Sequence, residues 1–188
     1  MFKPVGAIAI ASVLILLCGC GGKAPTINES MTKVVQPQAE IIWNVTSRAF
    51  NAKGDGLDGS KITAADWAAL ADAGAKIRDR AQAIADAPHV TVATADETIM
   101  GQNASHAGTK QTWDAASVKQ VQGLIDANPK LFAQHARVLA DAGDKVVKSS
   151  ATHDAALLYS VSANLDEVCD GCHQPFWGTD EPPPFPGK

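Results

Sequence analysis

Apolar residues recur at helical spacing along most of this chain. Over residues 28–51, Met31, Val34, Val35, Ile41, Ile42, Val45 and Ala49, with Gln38 among them, fall near a three-and-four repeat, which predicts an amphipathic helix. Pro37 lies inside it, so either the helix kinks there or Pro37 is a first-turn residue of a shorter helix. Gly54, Gly56 and Gly59 then mark a loop. The cleanest stripe is Trp67, Leu70, Gly74, Ile77, Ala81 and Ile84, preceded by Thr63 with Asp66 three positions on, the spacing of a capping box. From residue 88 to 111 the pattern dissolves into small and polar residues, read as a long loop, and a short amphipathic piece follows over residues 113–125. Asn128-Pro129 opens a third long helix with Leu131, Phe132, His135, Leu139, Ala142 and Val146 on one side. A fourth helix is expected from near Thr152, carrying Leu158, Val161, Leu165, Cys169 and Cys172, and a Pro-rich tail closes the chain over residues 179–188.

Amphipathic helices with no strand alternation between them bury their stripes most simply side by side. The expected fold is therefore all-α, an antiparallel up-and-down four-helix bundle with a cofactor between facing helices. The chain of 188 residues has room for one such domain, expected over residues 31–178. Its alanine richness and an aromatic content of only 5% favour helix over strand.

The N-terminus reads as an address. Lys3 precedes an apolar run from Val5 to Leu17, about the length of a signal-peptide core and too short to span a bilayer. The run ends in Leu17-Cys18-Gly19-Cys20, which resembles a bacterial lipobox with Cys20 as the acylated residue, although Cys18 stands where a small or hydroxylated residue is usual. Residues 1–19 would then be a lipoprotein signal peptide and residues 20–30 a lipidated tether holding the protein to a membrane on the periplasmic side. The competing reading is simple cleavage that leaves Cys20 as a stray thiol. Gly21 gives no retention signal of the Asp type, which favours the outer membrane. The formal charge is −4, and removal of Lys3 with the signal takes it to −5. No stripe of Lys and Arg offers itself to nucleic acid phosphates, so nucleic acid is not an expected partner.

Of the four cysteines, Cys18 leaves with the signal and Cys20 takes lipid, so Cys169 and Cys172 remain for chemistry. With His173 they form Cys169-Asp170-Gly171-Cys172-His173, the Cys-x-x-Cys-His pattern of covalent haem attachment. Two sulfurs three residues apart on a helix can each bond one haem vinyl group, and the adjacent imidazole can swing under the porphyrin to ligate iron. A structural zinc site would need further ligands, available only from His89, His106, His135 or His153. A thioredoxin-type pair should open a helix after a strand, whereas this motif ends a helical pattern. These readings and a plain disulfide all leave His173 unexplained. The expected cofactor is one covalent haem c.

No methionine follows His173, so a methionine ligand to the iron must come from upstream, where Met31 and Met100 remain once the signal is gone. A haem motif so near the C-terminus, followed by Phe176 and Trp177, resembles that of the class II or c-prime-type cytochromes, four-helix bundles with the motif at the end of the last helix. The first helix is similar too, in its succession of Met31, Val34, Val35, Pro37 and Trp43. The stretch over residues 88–125 is longer and more polar than the resemblance implies. In Met-ligated members the first helix supplies the sixth ligand, and the resemblance gives that role to Met31; an ordinary core methionine filling a gap is the other reading of the same residue. The resemblance further implies one-electron transfer in the periplasm with other redox proteins as partners, and a homodimer through the first two helices. A five-coordinate haem that binds small gases such as nitric oxide is the alternative. No spaced carboxylate pair beside a nucleophile and no Gly-rich phosphate loop accompanies the motif, so no enzymatic activity is expected.

Overall fold

In a computed structural model of the chain, residues 24–94, 97 and 118–177 are described. Every regular element among them is helical. These are α1 (Ile27–Ser30), a π-helical turn (Met31–Val35), α2 (Gln36–Ala49), a 3-10 turn (Gly59–Lys61), α3 (Ala64–Asp86), α4 (Val118–Ala127), α5 (Pro129–Thr152), α6 (Ala155–Ala163) and α7 (Leu165–Trp177). A single isolated bridge, Phe50 to Leu57, is the only β-type pairing among the described residues outside the helices. None of these helices is long and apolar enough to cross a membrane. The signal segment, Cys20, Met100, His106, Trp113 and the Pro-rich tail lie outside the described residues.

Helix α3 begins where the capping box places it. Thr63 stays extended and its hydroxyl accepts the Asp66 N–H at 3.2 Å, while the Asp66 carboxylate accepts the Thr63 N–H at 2.9 Å. The Thr63 hydrogen bonds, with help from the Arg48 ion pair, hold the Asp66 carboxyl below the usual carboxylate range. Replacing Thr63 with Ala leaves the Asp66 N–H without its acceptor and is expected to cost about 1 kcal/mol of stability, with Thr63→Ser close to wild type in a urea titration. The stripe that follows is buried as its spacing requires, from Trp67 and Leu70 through Ile77 to Ile84.

The main helix pair is α3 against α5, and it is tight because glycines face one another. A Cβ on Gly74 would lie 2.7 Å from the Gly143 carbonyl oxygen, and one on Gly143 would lie 2.7 Å from both the Gly74 oxygen and the Arg78 nitrogen. Backbone therefore meets backbone at this crossing. Leu139, Ala142 and Val146 of the predicted α5 stripe are buried, but Leu131 is 41% exposed and Ala136 takes the inward place. Asn128 does not cap α5 with its side chain; its amide donates instead to the Leu124 carbonyl at 3.2 Å, tying α5 to the end of α4.

The expected fourth helix is two helices with a separate start. Residue Thr152 still belongs to α5, which ends because His153 adopts the left-handed conformation (φ 52°, ψ 38°). Asp154 then caps α6 by accepting the N–H groups of Ala156 and Leu157 at 3.0 and 2.9 Å. A break at Asn164 separates α6 from α7. The His153 ring stacks on Trp67, with centroids 5.1 Å apart and planes 15° from parallel, which fastens this corner to α3.

Near the N-terminus the helix continues through Pro37 and widens ahead of it. In a regular helix the Pro37 ring would strike the carbonyl of Lys33. Here the Gln36 N–H reaches back five residues to the Met31 carbonyl, a π turn that makes room, and Pro37 sits in the first turn of α2. The extra residue changes the buried face. Val35, Ala39, Ile42, Val45 and Ala49 point inward, while Met31, Val34, Gln38 and Ile41 are only partly covered. Helix α1 also starts inside the stretch read as tether: Thr26, Ile27 and Ser30 are buried, and Thr26 forms a capping box with Glu29.

The buried residues fall into two clusters. The larger, built from α2, α3, α5 and α6, includes Ile42, Leu70, Ile77, Val146 and Leu158. The smaller gathers Ile27, Ile84, Ala85, Val92, Ala93, Val121, Ile125, Phe132, Ala136 and Phe176. Val92 and Ala93 come from the segment expected to be irregular loop, and they are buried.

Candidate functional site

Helix α7 carries Cys169, Cys172 and His173 within about one turn. The spacing puts both sulfurs on one side of the helix with the imidazole beside the second. All three side chains are half-buried, and both cysteines are free thiols. Burial pushes the Cys169 thiol up to about 11, with Asp166 and Asp170 adding to it, and the Cys172 thiol up to about 12, with Cys169 adding to it. A thioredoxin-type pair needs the opposite shift, produced by a helix N-terminus or a nearby cation. At neutral pH these thiols are protonated and weakly nucleophilic. Burial also lowers the His173 pKa, against a smaller opposing effect of Asp170, which favours the neutral imidazole, the form that ligates metals.

The surroundings of the motif are apolar and aromatic. Cys172 packs against the smaller cluster, where Phe176 meets Phe132 edge to face with centroids 5.3 Å apart. Phe176 also meets His135 edge to face at 6.2 Å. Among the described residues, His135 of α5 lies beside the motif: its Nδ1 would be 3.7 Å from a Cβ on Gly171, an ordinary van der Waals contact. The sequence pattern treats that position as any residue and carries no sign of this contact.

The other histidines among the described residues lie elsewhere, His153 on Trp67 and His89 exposed beside Asp126 at 4.0 Å. Among the described residues, no three His, Cys, Asp or Glu side chains converge as zinc ligands would. Haem iron takes only one or two protein ligands and so needs no such convergence.

Met31, in the π turn, is half-buried and packs against both clusters. The structure thus brings Met31 and Cys172 to the edge of one apolar cluster from opposite ends of the described chain. The residues missed by sequence pattern are Val92 and Ala93, from the irregular segment, which join Phe176 in the walls of that cluster. A flat apolar macrocycle with two vinyl groups and an iron that wants imidazole suits this donor set: two protonated thiols a turn apart, one neutral imidazole, and phenyl rings beside them. No family model, curated protein or solved structure matches the chain.

Proposed function

We propose that this chain is a c-type cytochrome of the class II, c-prime-like kind, carrying one haem c and transferring single electrons in the periplasm. In this reading Cys169 and Cys172 hold the haem through thioethers, His173 is its axial ligand, and Met31 is the sixth ligand. The helices act as an antiparallel up-and-down four-helix bundle made of α1 with α2, α3, α5, and α6 with α7. A bound haem supplies a ferrous–ferric couple whose potential depends on the axial pair and on burial. What the chain itself contributes is an apolar cluster with Phe132, Phe176, Ile84 and Val92, against which Cys172 packs. Cys20 would carry lipid and tether the protein to a membrane, with the outer membrane favoured by Gly21. The partners would be periplasmic redox proteins, meeting it through a small transient surface, and a second copy of the chain through the first two helices.

The observation that carries this reading is the sharing of one apolar cluster by Cys172 and Met31, in a chain whose only described cysteines sit in Cys-x-x-Cys-His. An absorption spectrum of purified holoprotein tests it. The expected result is a low-spin haem with the weak far-red band of a thioether on ferric iron, and loss of that band in Met31→Ala. A high-spin spectrum in the wild type would instead assign the protein to gas binding at a five-coordinate iron.

A further inference from the structure

Two polar side chains that lack partners line one groove. The π turn and the first turn of α2 run beside α3 and leave between them a groove of about 600 Å3, lined by Lys33, Val34 and Gln38 on one side and by Lys76, Asp79 and Arg80 on the other. The Gln38 Oε1 atom is buried and accepts no hydrogen bond among the described residues. Arg80 is half-buried and, among the described residues, makes no ion pair.

Each of these groups calls for a different complement. A buried acceptor without a donor is costly, and a half-buried guanidinium gains from an anion that takes its N–H groups in pairs. Lys33 and Lys76 add charge from either wall. Their carboxylate partners, Glu29 at 2.7 Å and Asp72 at 2.5 Å, lie one turn away along the chain, and surface pairs of this kind hold weakly. Asp79 is engaged with Arg78 at 2.8 Å. The lining thus sets three cations against one carboxylate, with a buried acceptor besides.

A carboxylate ligand brings no donor for Gln38 at neutral pH, and sulfate brings none either. A phosphate group can bring both kinds of partner: hydrogen phosphate carries a P–OH, and a glycerol phosphodiester carries hydroxyls beside its anionic oxygens. We infer that the groove between the π turn and α3 is a binding site for a phosphate group that bears a hydroxyl, with Arg80 and the two lysines on the anionic oxygens and Gln38 accepting from the hydroxyl. Cys169, Cys172, His173 and Met31 do not line the groove, so the site is independent of the haem reading.

Calorimetry of the purified full chain with inorganic phosphate, sulfate and glycerophosphoglycerol tests the site. Phosphate is expected to bind about tenfold more tightly than sulfate, since only phosphate can satisfy Gln38. Arg80→Gln should weaken phosphate on the order of tenfold. Gln38→Leu, which replaces the unpaired acceptor with an apolar group of similar size, should abolish the preference over sulfate while the thermal midpoint without phosphate stays at or above that of wild type. That melting curve also shows the variant folded. Tighter binding of glycerophosphoglycerol assigns the site to a lipid headgroup, and tighter binding of inorganic phosphate assigns it to the free ion. No binding of either, phosphate and sulfate bound alike by wild type, or phosphate binding unchanged in Arg80→Gln and Gln38→Leu leaves an adventitious ion only and overturns the site.

Discussion

Protein carrying Cys169→Ser together with Cys172→Ser, matured in a host that attaches haem, is expected to come out with the mass of the bare chain and no covalent porphyrin. The single variants should keep one thioether and resist extraction of the haem less well than wild type. The reasoning starts from the state of the thiols. Burial, with Asp166 and Asp170 adding at Cys169 and Cys169 adding at Cys172, holds them at about 11 and about 12, the opposite of the shift a reactive redox pair uses. If they were plain packing residues, their replacement by Ser would change the mass only by the two substitutions themselves. His173→Ala separates attachment from ligation: covalent porphyrin should remain while the low-spin spectrum is lost. Mass spectrometry after acid extraction, beside an absorption spectrum, reads all of these. Wild-type protein with two unmodified thiols after such maturation would end the cytochrome reading.

The second large effect is expected at the α3–α5 crossing. Gly143→Ala places a methyl group 2.7 Å from two backbone atoms of α3, and neither the Gly74 oxygen nor the Arg78 nitrogen can turn aside as a side chain would. The helices must separate, and the close packing of Leu70, Ile77 and Val146 loosens with them. Overpacking of this kind costs about 1–3 kcal/mol, while Ala gains up to about 1 kcal/mol over Gly within a helix. Since the contact is with backbone, the cost should win, and the thermal midpoint should fall by several degrees. Gly123 supplies the matched control: it lies in α4 and a Cβ there meets nothing within 4 Å, so Gly123→Ala should stabilise slightly. The large fall and the slight rise, opposite in sign, would be plain in two melting curves. Should Gly143→Ala melt at or above wild type, the crossing is softer than its distances imply.

The parts of this fold that were legible in the sequence are those where one residue type answers one local demand. Thr63 with Asp66, and the stripe from Trp67 to Ile84, encode both the start and the inner face of α3. Helix α5 was readable at Pro129 and along Leu139 and Val146, because a helix of that length averages out single misplacements such as Leu131. The break at Asn164 and the turn at His153 were not readable, since neither involves Gly or Pro. His153 takes a positive φ that few residues other than glycine adopt, and its stack on Trp67 is a tertiary contact invisible to periodicity. Residues 90–94 are irregular as expected, but the burial of Val92 and Ala93 in that segment was missed for a related reason. Its backbone bonds go to Ile27 and Asn28, far away in sequence, and no alternation or repeat announces pairing with a helix start. For the candidate site, the motif on α7 was visible as a string of letters. That Met31 and Cys172 would border one cluster, and that Gly171 would lie beside His135, depended on how the helices meet.

The π turn at Met31–Val35 has a consequence for how this region tolerates change. Holding one residue more than an α-helical turn, it works as a phase shifter between the start of the helix and α2. Deleting one residue there would restore ordinary winding with the upstream segment in nearly its present orientation, whereas rewinding the same five residues as regular α-helix would swing everything upstream by most of the roughly 100° that one residue spans. In that second case Met31 and Ile27 would be aimed away from the cluster they border, even with every side chain chemically intact. The wide winding ahead of Pro37 is what keeps the first helix facing the right way.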